Sequence, residues 1–112
     1  MIFDWDDSKA NLNKTKHDVS FAEAATAFFD PNAIELLDAQ NSDDEDRWIL
    51  VGLSTKSNIL LIVFVERHED IIRIISARKA IKEEINQYFS KVNLWTMNTI
   101  YPRLKRLKSE KV

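Results

Sequence analysis

The 112 residues include no cysteine, one glycine and two prolines, and 45% are hydrophobic, which suffices for one core and excludes a disulfide framework, a thiol nucleophile and a cysteine-zinc site. Gly52, standing alone, excludes the glycine-rich phosphate loops, and the longest apolar run, residues 59–65, is far short of the roughly 20 residues of a membrane-spanning helix. The formal charge of −2 hides an asymmetry: residues 1–90 carry 10 Lys and Arg against 17 Asp and Glu, and residues 91–112 carry 6 against Glu110 alone, so any polyanion site must be a local cluster on an acidic body.

Residues 2–5 alternate apolar and acidic side chains as a short strand does. Asp6 or Asp7 then offers the N-cap of a helix running to about His17. Ser20 caps a second helix, with Glu23 in the place of the reciprocal capping-box partner and Val19 in that of a staple. Phe21, Ala24, Ala25 and Phe28 recur at helical spacing until Asp30-Pro31 stops the run. Residues 33–38 read as a strand and 39–46 as an acidic loop that cannot bury itself. Residues 47–53, 59–65 and 71–77 are β-rich runs separated by polar turns, an antiparallel meander. The middle run is apolar at every position and predicts a central strand covered on both faces.

Helical periodicity returns over residues 78–90, with Ala80, Ile81, Ile85, Tyr88 and Phe89 on one stripe. Beyond it Trp95, Met97, Ile100, Tyr101, Leu104 and Leu107 are apolar enough to dock, and Pro102 suits the first turn of a last short helix. The order predicts an α+β domain over residues 1–90, with N-terminal helices packed on an antiparallel sheet of about four strands followed by a C-terminal helix. Residues 91–112 form a basic extension. The acidic start is unlike a signal peptide, so the expected compartment is the cytoplasm, with no membrane contact.

Several motifs fall in a familiar order. Phe3-Asp4-Trp5-Asp6, Asn13, Lys16-His17, Val19-Ser20-Phe21 and Glu23-Ala24 open the chain. Asp44-Glu45-Asp46-Arg47, Gly52-Leu53-Ser54, Glu66-Arg67, Arg73-Ile74-Ile75-Ser76-Ala77-Arg78-Lys79-Ala80, Glu84 and Tyr88 follow at matching spacing. Over residues 2–90 the set resembles the BrnT toxins. Two departures stand out: Asp18 occupies the position after Lys-His where the family usually has glycine, and the tail from Lys91 matches no family-wide pattern. The resemblance implies a RelE-like fold and a type II toxin that cleaves RNA and slows translation. It also implies neutralisation by a co-encoded BrnA-like ribbon-helix-helix antitoxin, with operator DNA contacted only through the toxin-antitoxin complex.

Metal-free RNA cleavage needs a base for the 2′-hydroxyl, cations for the phosphorane and an acid for the 5′-oxygen. Two histidines without an H-x-x-x-H pair, and acids mostly in a loop, supply a metal route poorly, and no cofactor is called for. Arginine suits the phosphorane through its planar, always charged fork. Arg67, Arg73, Arg78 and Lys79 crowd the last two strands and the start of the last helix. Simple alternation puts Arg73 with Ile75 on one side and Ile72, Ile74 and Ser76 on the other. These cations are either phosphate ligands or solvated charges paired with Glu66, Glu69 and Glu84. With the resemblance, Arg67 and Arg78 take the catalytic role, and Arg73 and Lys79 stay open between the two readings as substrate contacts.

For proton transfer, Glu66 is either a base or the holder of an arginine, and Tyr88 is either buried or a hydroxyl reaching the substrate. His17 either caps the last carbonyls of its helix or touches RNA, and His68 is an exposed turn residue. The expected site is therefore Glu66, Arg67, Arg78 and Tyr88 in catalysis, with Arg73, Lys79 and His17 binding substrate and no metal ligand. Trp5 and Trp48 read as core, and Trp95 as open to a partner. The competing function is an antitoxin-binding module of an autoregulating repressor complex, with catalysis weak or lost.

Overall fold

The computed structural model describes residues 1–68 and 70–100, with side chains to Lys91. Expectations for Glu69, for the side chains of Trp95, Met97 and Ile100, and for residues 101–112 lie outside the described residues. The chain runs β1 (Ile2–Asp4), α1 (Asp7–His17), α2 (Phe21–Ala27), β2 (Ile34–Leu37), a 3-10 turn (Ala39–Asn41), β3 (Trp48–Leu53), β4 (Ile59–Arg67), β5 (Ile71–Lys79) and α3 (Lys82–Ile100). The five strands form one sheet in the order β1-β5-β4-β3-β2. Strands β2 to β5 are antiparallel neighbours, but β1 lies parallel to β5 with Ile2 opposite Ile71. The expected four-stranded antiparallel sheet is thus a five-stranded mixed one. The cause is non-local: α1 and α2 carry the chain away from β1, and Phe3 returns to the core against Phe28, with ring centroids 5.1 Å apart.

Local signals behave as their chemistry dictates. The Asp6 carboxylate accepts the Lys9 N–H and starts α1. Asp18 ends α1 in the left-handed region at φ 56°, donates its N–H to the Lys14 carbonyl and pairs with the Lys14 ammonium at 3.0 Å, so aspartate does the work of the usual glycine. Ser20 Oγ accepts the Glu23 N–H at the head of α2. The Glu23 carboxylate, however, is buried and accepts from Ser54 Oγ and Asn58 Nδ2 at 2.7 and 2.9 Å. It ties α2 to the β3–β4 turn in place of completing a capping box. Gly52 lets the end of α2 approach the sheet: a Cβ there would meet the Ala27 carbonyl oxygen at 3.0 Å.

The core lies between α1, α2 and one face of the sheet. Val19, Phe21, Ala24 and Ala27 pack on Leu50, Leu60, Ile62, Phe64, Ile74 and Ala77, with Trp5 and Trp48 half-buried at its rim. On the other face Val65 is buried, but Ile59, Leu61 and Val63 are only half-buried, so β4 is not covered equally on both sides. Helix α3 meets the sheet at β3, where Tyr88 is buried and Lys91 Nζ donates to the Ala33 carbonyl at 3.1 Å. The helix begins at Lys82, not at Arg78, because Arg78 and Lys79 continue β5 opposite Leu61 and Leu60. It runs on past residue 90, where the sequence pattern places the end of the domain.

Strand β5 departs from a regular strand in two ways. Val63 faces Ser76 while Phe64 faces Ile74, so Ile75 is an extra residue, a β-bulge. Ser76 therefore joins the face of Arg73, and Ala77, buried at 1% exposure, joins that of Ile74, which reverses the simple alternation. Beyond β1 the open edge of β5 is closed by Asn13 of α1. Its Oδ1 accepts the Ala77 N–H at 3.1 Å, and its Nδ2 donates to the carbonyls of Ala77 and Val19 at 2.8 and 2.9 Å.

Candidate functional site

Residues opposite one another on adjacent strands point to the same face. In β4, Leu61, Val63, Val65 and Arg67 point away from α1 and α2, and their partners are Arg78, Ser76, Arg73 and Ile71. Arg67, Arg73 and Arg78 therefore project from one face in a line along the β4–β5 ladder. Arg73 and Arg78 are five apart in sequence, an odd separation that alternation would send to opposite faces; the bulge at Ile75 restores them to one. Arg78 lies level with Leu61 and Arg67 beyond Val65, which places the outer two about 20 Å apart at roughly 3.3 Å per strand residue.

Each of these arginines meets a carboxylate from a different element. Arg67 Nη2 donates to Glu45 Oε1 at 3.1 Å, from the loop before β3, with both side chains nearly half exposed. Arg73 Nη1 donates to Asp4 Oδ2 at 2.6 Å, from its register partner in β1. Arg78 is gripped by both forks, Nη1 to Glu84 Oε1 at 2.9 Å and Nη2 to Glu84 Oε2 at 3.0 Å. Glu84 also accepts the Ile81 N–H at 2.9 Å, so the pair pins the start of α3 to the end of β5. The mutual hydrogen bonds raise the Arg78 guanidinium and hold the Glu84 carboxyl below its usual range, against the opposing effect of burial.

Arg67 and Arg73 line an open hollow of about 460 Å³ with Asp4, His68 and Ile71. His68 takes the left-handed conformation, φ 57°, at the β4–β5 turn, and lines the same hollow. The sequence offers His68 as one of four groups able to transfer a proton and reads it as an exposed turn residue; it is exposed in that turn and lines this hollow.

The other expected site residues lie elsewhere. Glu66 stands opposite Ile72 and so faces away from its neighbour Arg67, toward a hollow of about 290 Å³ shared with Asp30 and Glu35. Tyr88 is 4% exposed and donates its hydroxyl to Asp30 Oδ2 at 2.6 Å. Burial first, and the Asp30 contact second, push its phenol well above the ordinary value. Lys79 is exposed opposite Leu60, on the face away from Arg78. His17 is half-buried in the last turn of α1, where it lines a hollow of about 430 Å³ with Lys9, Lys16, Ile75 and Ser76 at the β5 edge. Among the described residues no group of three or more His, Cys, Asp or Glu side chains is placed to hold a metal ion.

Residues 5–84 match the family model described as the ribonuclease toxin, BrnT, of a type II toxin-antitoxin system. Among solved structures the fold is similar to that of the Brucella abortus ribonuclease toxin BrnT, with a TM-score of 0.56 and 21% identity, over 73% of this chain and 100% of that one. No curated protein sequence matches.

Proposed function

The chain belongs to the BrnT family of ribonuclease toxins of type II toxin-antitoxin systems, and from that premise we propose that it is a metal-independent endoribonuclease that cuts RNA on the arginine-bearing face of the sheet and so inhibits translation. What supports this reading is the hollow where Arg67, Arg73 and His68 converge. The two guanidinium forks donate to the non-bridging oxygens of the scissile phosphate, where charge develops as the 2′-oxygen attacks. His68, whose side-chain type is the commonest general acid, supplies the proton to the departing 5′-oxygen.

The ion pairs grade the arginines. Exposed pairs of the Arg67–Glu45 kind are worth roughly 0–1 kcal/mol, so a phosphate dianion or diester displaces the carboxylate at little cost. Arg78 is held at both ends of its fork by Glu84, and in this reading it anchors α3 and adds positive field while Arg67 and Arg73, each meeting its carboxylate through a single nitrogen, bind the phosphate. Tyr88 and Glu66 take no part in the chemical step. A BrnA-like ribbon-helix-helix antitoxin neutralises the protein by laying acidic side chains over Arg67 and Arg73, as Glu45 and Asp4 do within the chain, and operator DNA is met through that complex in the cytoplasm.

The test is purified protein with a defined RNA in excess EDTA. Cleavage should persist and leave a 2′,3′-cyclic phosphate or 3′-phosphate with a 5′-hydroxyl. Cleavage abolished by chelation and restored by a divalent ion would overturn the mechanism.

A further inference from the structure

We infer that Glu45 is the general base of RNA cleavage, carried to the scissile nucleotide by Arg67; the inference rests on the reading that the arginine face binds the RNA. A base must lie within hydrogen-bond reach of the 2′-hydroxyl beside the phosphate that the arginines hold. Glu66, the acid next to Arg67 in sequence, faces the other side of the sheet. Among the described residues, the carboxylates that meet the arginines of this face are Asp4, Glu45 and Glu84.

Their commitments differ. Glu84 has both oxygens on Arg78 and holds the Ile81 N–H besides, at the base of α3. Asp4 is a strand residue locked opposite Arg73 by the β1–β5 register. Glu45 touches Arg67 through one oxygen at 3.1 Å, is 45% exposed, and is offered from a loop. That loop is closed at its base, where the Asp38 N–H donates to the Arg47 carbonyl at 2.8 Å and the Arg47 N–H to Ser42 Oγ at 2.9 Å. Glu45 is therefore presented from a loop closed at its base, with one carboxylate oxygen on Arg67. An exposed acid on a loop closed at its base, resting through one oxygen on the cation that the substrate needs, is placed for exchange: the phosphate takes the Arg67 fork and the displaced carboxylate is left beside the ribose.

The step then balances. The Glu45 carboxylate takes the proton of the 2′-hydroxyl as the 2′-oxygen bonds to phosphorus. The bond from phosphorus to the 5′-oxygen breaks, and that oxygen leaves with the electron pair and takes a proton from His68. The products are a 2′,3′-cyclic phosphate and a 5′-hydroxyl.

The experiment compares the full-length protein with Glu45→Gln and Asp4→Asn in single-turnover cleavage of a defined RNA across pH, alongside binding of the same RNA carrying a 2′-O-methyl at the cut site. Glu45→Gln should cleave at least a hundredfold more slowly, bind the methylated RNA as tightly or more tightly because Arg67 is released, and lose the acid limb of the pH–rate profile that Asp4→Asn retains. Cleavage by Glu45→Gln at the parent rate or faster, with tighter binding, would make Glu45 a brake on Arg67 and overturn the inference while leaving the RNA-binding face intact. Loss of the acid limb in Asp4→Asn and not in Glu45→Gln would overturn it equally. If Arg67→Ala binds and cleaves like the parent, the face is not the RNA site and both readings fall together.

Discussion

Replacing Arg78 separates the two things an arginine at a strand-to-helix junction can do. Arg78→Ala removes two charge-assisted hydrogen bonds from Glu84, whose side chain is 20% exposed and keeps only the Ile81 N–H. Exposed pairs contribute roughly 0–1 kcal/mol and breaking a fully buried pair costs about 3–5 kcal/mol, so this partly buried, bidentate pair should cost about 1–2 kcal/mol. For a domain of this size that lowers Tm by roughly 5–10 °C. The loss depends on pH in a defined direction. The Glu84 carboxyl is held below its ordinary value by Arg78, so the pair's stabilisation is complete above the unfolded glutamate range and fades as pH falls through the lower folded value. Melting curves of the parent, Arg78→Ala and Glu84→Gln at pH 7 should therefore show both variants destabilised alike, and the gap should narrow below about pH 4. RNA cleavage on the same preparations, measured where all three are folded, should fall much less than the hundredfold expected of a direct phosphate ligand. An Arg78→Ala protein that melts like the parent and has lost cleavage would refute this reasoning and return Arg78 to the phosphate.

Arg67→Ala and Arg73→Ala should each lower single-turnover cleavage about a hundredfold, the first with Tm nearly unchanged and the second with a loss of up to about 1 kcal/mol for its pair with Asp4, and the lysine variants should recover part of the rate, since charge remains and the fork is lost. Asn13→Ala strips three hydrogen bonds from the buried main chain of Ala77 and Val19, and should cost about 3 kcal/mol in urea unfolding; a loss below about 1 kcal/mol would show that water replaces the amide. Gly52→Ala sets a Cβ 3.0 Å from the Ala27 carbonyl oxygen and 3.2 Å from the Ala33 Cβ, and should cost about 1–3 kcal/mol by overpacking, whereas an unchanged denaturation midpoint would mean that α2 shifts freely.

What the sequence determined by itself is what neighbours along the chain decide. Asp6 and Ser20 cap their helices, Asp30-Pro31 lies just past the end of α2, and the apolar run at residues 59–65 becomes the inner strand β4, because caps, breakers and periodicity act within a few residues. The ordered motifs likewise identified the family. The site depended on longer reach. The apolar pattern of β4 ends at residue 65 and does not say which faces Glu66 and Arg67 take; pairing with β5 carries the strand through Arg67 and turns the two side chains to opposite faces. Glu45 is 22 residues from Arg67, and Asp4 is 69 from Arg73, so neither pair leaves a local trace. The bulge at Ile75 leaves none either. Periodicity tells a residue's side only relative to its own strand neighbours, whereas register is set by the packing of Ile62 and Phe64 against Ala77 and Ile74 across the ladder. That one extra residue, accommodated to keep both flanks of β5 buried, is what brings Arg78 to the same face as Arg67 and Arg73.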